Sequence, residues 1–191
     1  MTKLFVLIFW LNLFFISANA QENKIYTSLE DAAKVHPDSV YRLDLSKNRL
    51  TEIPQVVFDF KNLISLDLSK NKLTNLPSNF IFKHLEVLNL TKNKFTLFPE
   101  AICKNTALKQ LLLGKNYLSE LPECIGDLSE LVILDAWFNT ITVIPESIVK
   151  LKKLRSIDFR GMNYSDEFQQ KWRDLLPWVN IEFDLGCDCG F

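Results

Sequence analysis

The chain has 191 residues, 48% hydrophobic and 24% charged, which is the composition of one globular domain and excludes a disordered chain. Its 22 basic and 23 acidic side chains leave a formal net charge of -1. This balance argues against nucleic acid or an anionic membrane as the partner.

The first twenty residues have the pattern of a signal peptide. Lys3 gives a positive start, Leu4 to Ile16 is an apolar run, and Ala18 to Ala20 has the small residues of a cleavage site. The alternative is a retained membrane anchor, but the run is shorter than the roughly 20 residues that cross a bilayer as a helix. We predict cleavage and export, to the medium or to the periplasm or cell envelope, with no stable membrane insertion afterwards.

Residues 21–39 are predicted to form a helical cap. Ser28 is a favourable N-cap for a short helix that runs to Val35, and His36 and Pro37 end it.

From Val40 the chain repeats one pattern five times, and a sixth, degenerate unit opens at Leu154. The five full units begin at Val40, Leu63, Leu85, Leu108 and Leu131, at spacings of 23, 22, 23 and 23 residues. Each carries Asn at position 9: Asn48, Asn71, Asn93, Asn116 and Asn139. Each also carries Pro at position 15: Pro54, Pro77, Pro99, Pro122 and Pro145.

The spacing within a unit has a physical reason. Positions 4 and 6, such as Leu66 and Leu68, alternate with polar residues and predict a short strand with one buried face. The turn after the strand leaves backbone groups inside, which a buried Asn amide can satisfy with its donors and acceptor. Apolar residues at position 18 are expected to close the core on the opposite side: Val57, Phe80, Ile102, Ile125 and Ile148.

This pattern resembles the leucine-rich-repeat family in its 23-residue form, with the signature LxxLxLxxNxLxxLP. The resemblance is strong over residues 40–153. Within the family, the chain looks most like the small secreted bacterial proteins. The resemblance implies an α/β solenoid with a curved parallel sheet on the concave face and short helical or irregular convex turns. It also implies recognition of a protein partner through the concave face.

Residues 154–191 are predicted to contain the degenerate sixth repeat and a second helical cap. Ser165 starts a helix in which Phe168, Trp172, Leu175 and Leu176 share one face, and a last strand follows at 181–184. Both caps are expected because the terminal coils of a stacked solenoid expose apolar edges.

Four cysteines follow the leader, and they allow three disulfide connectivities that the sequence leaves open. Cys103 and Cys124 lie near each other on adjacent units, but their two-position offset makes a bridge between them marginal. Cys187 and Cys189 lack a second pair of ligands at zinc-site spacing, so we expect no metal site.

Catalysis is not indicated by the sequence. The two histidines, His36 and His84, have no cysteine or acidic partner in register, and the five glycines are too scattered for a phosphate-binding loop. We expect neither an enzyme nor a cofactor.

Two charged columns follow the repeat. Position 5 carries Asp44, Asp67, Asp135 and Asp158, with Asn89 and Leu112 between them, whereas position 8 carries Lys47, Lys70, Lys92 and Lys115. Arg49, Lys72 and Lys94 lie beside the lysines at position 10. We expect the two columns to screen and partly pair with each other as a solvated surface. The lysine column is also a polar flank suited to an acidic partner.

The repeat breaks in units four and five, where apolar and aromatic residues replace polar ones. The residues concerned are Leu112, Tyr117, Ile133, Trp137 and Phe138. An exposed aromatic patch on a concave surface is typical of a binding site. The alternative is local packing, with Trp172 and Trp178 of the C-terminal cap folded over Trp137.

The sequence therefore predicts an exported module that binds a protein or other macromolecule through its concave face, with the lysine column as a flank. The alternative is a structural envelope or adhesion component without a discrete ligand site, cross-linked through Cys187 or Cys189. Covalent multimers that disappear with reductant on a gel would favour that alternative.

Overall fold

The computed structural model describes residues 22–184, so the predicted signal peptide, Cys187 and Cys189 lie outside the described residues. The described chain forms one parallel sheet of eight strands in sequence order. The strands are β1 Ile25–Tyr26, β2 Arg42–Asp44, β3 Ser65–Asp67, β4 Val87–Asn89, β5 Gln110–Leu112, β6 Ile133–Asp135, β7 Ser156–Asp158 and β8 Asn180–Glu182. Each repeat unit is one coil of the solenoid, numbered one to six from Val40.

Each coil places the same side chain at the same height in the stack. Position 4 is the buried middle residue of its strand, and Leu66 pairs with Leu43 on one side and Leu88 on the other. The side chains at positions 1, 4 and 18 have exposures between 0% and 2% in all five full coils. The predicted solenoid, with the strand on one face and apolar closure on the other, is therefore the observed fold.

Four asparagines at position 9 bridge neighbouring coils inside the turn that follows each strand. Asn93 donates to the carbonyls of Leu90 in its own coil and Leu68 in the preceding coil, at 3.0 and 2.9 Å. Its side-chain oxygen accepts the backbone N–H of Leu73 at 3.0 Å. Asn71, Asn116 and Asn139 bond in the same way and are buried. Each amide thus satisfies backbone groups that the sheet does not reach.

Asn48 differs from the predicted ladder. It is exposed, because in coil one no earlier coil offers the carbonyl and N–H that the other four asparagines bind. A further buried amide was not predicted. Asn105, at the base of coil three, donates to Phe80 and Ala101 carbonyls and accepts the Phe82 N–H at 2.8 Å.

The convex side consists of short 3-10 turns. They span Gln55–Asp59, Glu100–Lys104, Glu123–Asp127 and Glu146–Lys150, and a proline precedes each as its N-cap. Each proline has an extended conformation just before its turn, and its ring restricts φ there. Coil two, the 22-residue unit, returns without a 3-10 turn.

Cys103 and Cys124 form a disulfide across the convex turns of coils three and four, with Cα atoms 5.8 Å apart. The predicted obstacle, a two-position offset, proves small. Both cysteines lie in 3-10 turns, which rise only about 2 Å per residue, so the offset displaces the two residues by about 4 Å. This leaves the pair within bridging distance.

The N-terminal end of the sheet is covered by β1 and by a short helix, α1, over Leu29–Ala32. Ser28 is its N-cap and accepts the Asp31 N–H at 3.1 Å, and a 3-10 turn over Pro37–Ser39 follows. The helix is shorter than the predicted span to Val35, and β1 was not predicted.

The C-terminal end is covered by a helix, α2, over Asp166–Leu175, with Ser165 as its N-cap. The buried face contains Trp172, Leu176 and Gln169, whereas Leu175 is 37% exposed. The prediction that Leu175 shares the buried face was wrong, because the contact surface is rotated toward Gln169, whose side chain donates to the Tyr164 carbonyl. Among residues 22–184, no helix is long and apolar enough to cross a membrane.

Asp184, just after β8, closes the last coil. Its carboxylate accepts the backbone N–H groups of Gly161, Met162 and Asn163 at 2.7 to 3.1 Å. These bonds, the one from Asn163 above all, hold the pKa of Asp184 below its usual value. Met162 stands where the other coils carry Asn, and Asp184 binds the backbone of that turn from outside.

Candidate functional site

The concave face of the sheet is formed by the side chains at positions 3 and 5, which are half-buried on either side of the buried position 4. Most are polar. Apolar residues interrupt this face in the middle coils, where Leu112 of β5 lies between Asn89 and Asp135 on the neighbouring strands. Ile133 of β6 is one strand further along. The two predicted aliphatic residues therefore lie diagonally on adjacent strands.

Trp137 and Phe138 follow β6 and contact each other edge to face, with ring centroids 5.3 Å apart. Each ring lies on a glycine of a neighbouring coil. A Cβ on Gly114 of coil four would overlap the Trp137 indole, and one on Gly161 of coil six would lie 2.8 Å from the Phe138 ring. Gly161 also has φ of +84°, a conformation that other residues rarely adopt. We call Gly114 and Gly161, against which the two rings pack, the aromatic seats.

Lys115 of coil four completes this cluster. Its Nζ lies 4.7 Å from the centre of the Trp137 ring and 5.4 Å from that of Phe138, within the range of cation–π attraction. Trp137 is half-buried and Phe138 is 55% exposed, so the cluster presents aromatic surface to solvent. Tyr117 is 60% exposed, but among the described residues no ring contact joins it to the pair.

The alternative prediction, that Trp172 and Trp178 pack over Trp137, was wrong. Trp172 is buried against Phe168, with ring centroids 6.3 Å apart, and Trp178 lies under the Nζ of Lys152 at 4.4 Å. Trp137 is instead partly buried on Gly114. Packing and exposure thus coexist, because the Nε1 and Cδ1 atoms of the indole pack against Gly114.

Asp135 lies beside this cluster, and a Cβ on Gly114 would lie 2.9 Å from its Oδ1. Oδ1 is buried and has no hydrogen-bond partner. Burial, together with the neighbouring Asp158 on β7, raises the pKa of Asp135 to about 6. Asp158, the cross-strand neighbour of Asp135, forms an ion pair with Arg160, with 2.6 Å between Oδ2 and Nη2.

The residues of the lysine column have left-handed backbone conformations. Lys47, Lys70, Lys92 and Lys115 have φ between 54° and 61°, and Phe138 continues the column at 50°. This left-handed residue turns the chain so that Asn at position 9 faces inward while the side chain at position 8 remains exposed. The sequence does not indicate this backbone conformation, because glycine or asparagine is the usual residue at positive φ.

The prediction that the acidic column and the lysine column partly pair with each other was wrong. The position 5 carboxylates bind their own turns: Asp44 accepts the Ser46 N–H at 2.8 Å, and Asp67 accepts the Ser69 N–H at 2.7 Å. Within residues 22–184, none of the four lysines at position 8 forms an ion pair. The local turn bonds take up the carboxylates and leave the lysines free.

The histidines lie apart from this surface. His36 is the N-cap of a 3-10 turn, and its Nδ1 accepts the Asp38 N–H at 3.3 Å. His84 is exposed and borders a shallow depression with Tyr41, Asn62 and Glu86.

Family models for leucine-rich repeats match the chain over residues 38–82 and again over residues 84–105. These matches cover coils one to three, which carry the exposed Asn48 and the buried Asn71 and Asn93. The matched segments are leucine-rich repeats, and the eight-stranded solenoid has the leucine-rich-repeat fold.

Known proteins match parts of the chain. It is 38% identical over 117 residues to leucine-rich repeat and calponin homology domain-containing protein 1 of Mus musculus, covering 61% of this chain and 13% of that protein. It is 39% identical over 72 residues to TMV resistance protein N of Nicotiana glutinosa, covering 37% of this chain and 6% of that protein. The chain therefore spans only a small part of these relatives.

Among solved structures, internalin C2 of Listeria monocytogenes has a similar fold, with a TM-score of 0.66 and 22% sequence identity. The match covers 83% of this chain and 66% of that chain. The leucine-rich-repeat fold is typical of protein–protein recognition, and its members are generally binding scaffolds rather than enzymes.

Proposed function

We propose that this protein is an exported recognition module that binds a protein partner on the surface formed by coils four and five. The contact surface comprises Leu112, Tyr117, Ile133, Trp137 and Phe138, with Lys47, Lys70, Lys92 and Lys115 as its polar flank. The division into leader 1–20, cap 21–39, repeats 40–153 and C-terminal region 154–191 belongs to the same proposal.

The observation that carries the proposal is the seating of Trp137 and Phe138 on Gly114 and Gly161. An aromatic pair exposed by chance would be mobile and would lose entropy on binding. Rings held in place by glycines and by Lys115 are preorganised, which reduces that cost. Tryptophan and tyrosine anchors also dominate the energetics of many interfaces.

The test is capture of a partner from cell envelope and culture medium by wild type and by the double variant Trp137→Ser/Phe138→Ser. Leu97→Ser/Val143→Ser is the matched control, since those two apolar side chains are 66% and 53% exposed elsewhere. We expect one retained protein to be lost by the first variant and kept by the second, with unchanged circular dichroism in both. Equal retention by all three proteins would contradict the proposed surface.

A further inference from the structure

Seven exposed basic side chains form one continuous face on coils one to four, which we call the basic flank. Its members lie at positions 8 and 10: Lys47, Arg49, Lys70, Lys72, Lys92, Lys94 and Lys115. The intervening position 9 is the Asn, which turns inward in coils two to four. Both basic positions therefore face solvent on the same side of the turn.

Backbone hydrogen bonds hold the basic flank in register from coil to coil. The Lys70 N–H donates to the Thr91 carbonyl of the following coil at 2.8 Å, and the Lys72 N–H donates to the Leu50 carbonyl of the preceding coil at 2.7 Å. Lys92 and Lys94 repeat the two bonds. The charges are thus spaced by one coil, about 4.8 Å, along the solenoid.

The positive charge of the basic flank is not compensated locally. Within the described part of the chain, none of its seven side chains forms an ion pair or donates a side-chain hydrogen bond, and the Nζ of Lys115 lies over the aromatic rings. Other lysines do pair: Lys34 with Asp31, Lys109 with Glu86 and Lys153 with Glu130. A chain of net charge -1 therefore concentrates unpaired positive charge on one face.

We propose that the basic flank binds an acidic, extended segment of the protein partner, which lies along the solenoid axis and ends at Trp137 and Phe138. This rests on the proposed function and names the chemistry of its partner. From Lys47 to Phe138 is four coil steps, about 19 Å, which about six residues of extended chain would span. A peptide fits better than an acidic polysaccharide because one stretch of it supplies both carboxylates and a bulky apolar side chain for the aromatic pair.

The probe is a fluorescein-labelled peptide of alternating Glu and Ser, eight residues long, with binding measured by fluorescence anisotropy in 50 mM NaCl. The variant Lys47→Gln/Lys70→Gln/Lys92→Gln removes three charges of the basic flank. The control Lys34→Gln/Lys109→Gln/Lys153→Gln removes three paired charges and changes the net charge equally. We expect the dissociation constant to rise at least fivefold in the first variant and less than twofold in the control. Raising NaCl to 0.5 M should abolish the difference, because counterions screen exposed charges.

Three results would overturn the proposal: equal weakening in both triple variants, undiminished binding of the same peptide with Gln for Glu, or preferential binding of dextran sulfate at 0.15 M NaCl. The first would indicate net charge alone, and the last a polysaccharide partner. The peptide lacks an apolar anchor, so its binding tests the basic flank alone. Loss of partner capture in Trp137→Ser/Phe138→Ser concerns the proposed function, whereas loss of peptide binding in the lysine variant concerns the basic flank.

Discussion

The inside and the outside of the turn after each strand follow different rules, although they are adjacent in the chain. Inside, position 9 is the same Asn in every full coil, and four of the five make the same bonds to the coil before. Outside, the exposed position 8 changes from Lys in coils one to four to Phe in coil five, and the residue before it changes from Ser in coil one to Trp in coil five. Coil stacking fixes only the buried groups, so the outer positions are free to vary and to acquire a binding role.

The largest expected effect tests the inner side of the turn. Asn93→Ala would leave the Leu73 N–H without a partner in the core. It would also remove one of the two asparagine donors to each of the Leu68 and Leu90 carbonyls, which would keep only Asn71 and Asn116, respectively. We expect a loss of about 3 kcal/mol in the free energy of unfolding, measured by urea denaturation. The exposed Asn48→Ala is the matched control and should cost under about 0.5 kcal/mol. Similar losses in the two variants would mean that the bridging bonds do not stabilise the stack.

The end of the ladder offers a second test, because Asp184 replaces Asn as the group that binds the turn. Asp184→Asn should cost about 1 kcal/mol at pH 7, since it weakens charge-assisted bonds to three backbone N–H groups. The pKa of this carboxyl is lowered, so its contribution is present above the ordinary value of 3.8 and is lost as the pH falls. A pH series of thermal melts should show the two proteins converge in acid. A difference that grows in acid would contradict this role.

Asp135 should behave in the opposite way. Its pKa is raised to about 6, so the folded state is favoured when this carboxyl is protonated and loses stability as the pH rises from 3.8 through 6. Asp135→Asn should therefore stabilise the protein by about 1 kcal/mol at pH 7.5, a figure reduced for its half-exposed position, and by almost nothing at pH 3.5. Equal thermal melting temperatures at pH 7.5 would show that the carboxylate is solvated.

The smallest effect on stability is expected at the aromatic seat. Gly114→Ala places a Cβ where the Trp137 indole lies, and the indole can swing outward, so the loss should be under about 1 kcal/mol. Tryptophan fluorescence should nevertheless shift to the red, because that ring becomes more exposed. Gly126→Ala is the control on the convex side, where the added Cβ meets Ser147 instead. An unchanged spectrum for Gly114→Ala would indicate that the glycine does not position Trp137.

The fold was predictable because stacking imposes one residue type at each buried position. Leu66, Leu68 and Asn71 recur at fixed spacing, so the strand and the turn followed from periodicity, and the solenoid followed from the resemblance to leucine-rich repeats. The ends were less predictable. β1 has two residues, the rotation of α2 away from Leu175 depends on how it packs, and Asp184 binds a turn 21 to 23 residues earlier in the chain.

The candidate site was predictable only in part. The aromatic residues were evident as a break in the repeat, but their contacts with Gly114 and Gly161 required the register between coils. A glycine at position 7 or 8, next to a coil with an aromatic residue there, was the signal that could have revealed the seats. The left-handed backbone of the lysine column had no such signal, because lysine does not favour positive φ.

In the proposed function, a protein partner contacts coils four and five on the surface that carries Trp137 and Phe138. Site-specific photo-crosslinking tests this contact most directly, with benzoylphenylalanine in place of Tyr117 and, as the control, in place of Leu97, which are 60% and 66% exposed. We predict a discrete crosslinked product from position 117 and none from position 97 when the cell envelope or medium is present. Crosslinking from position 97 alone would contradict the account and would place the partner away from the aromatic pair.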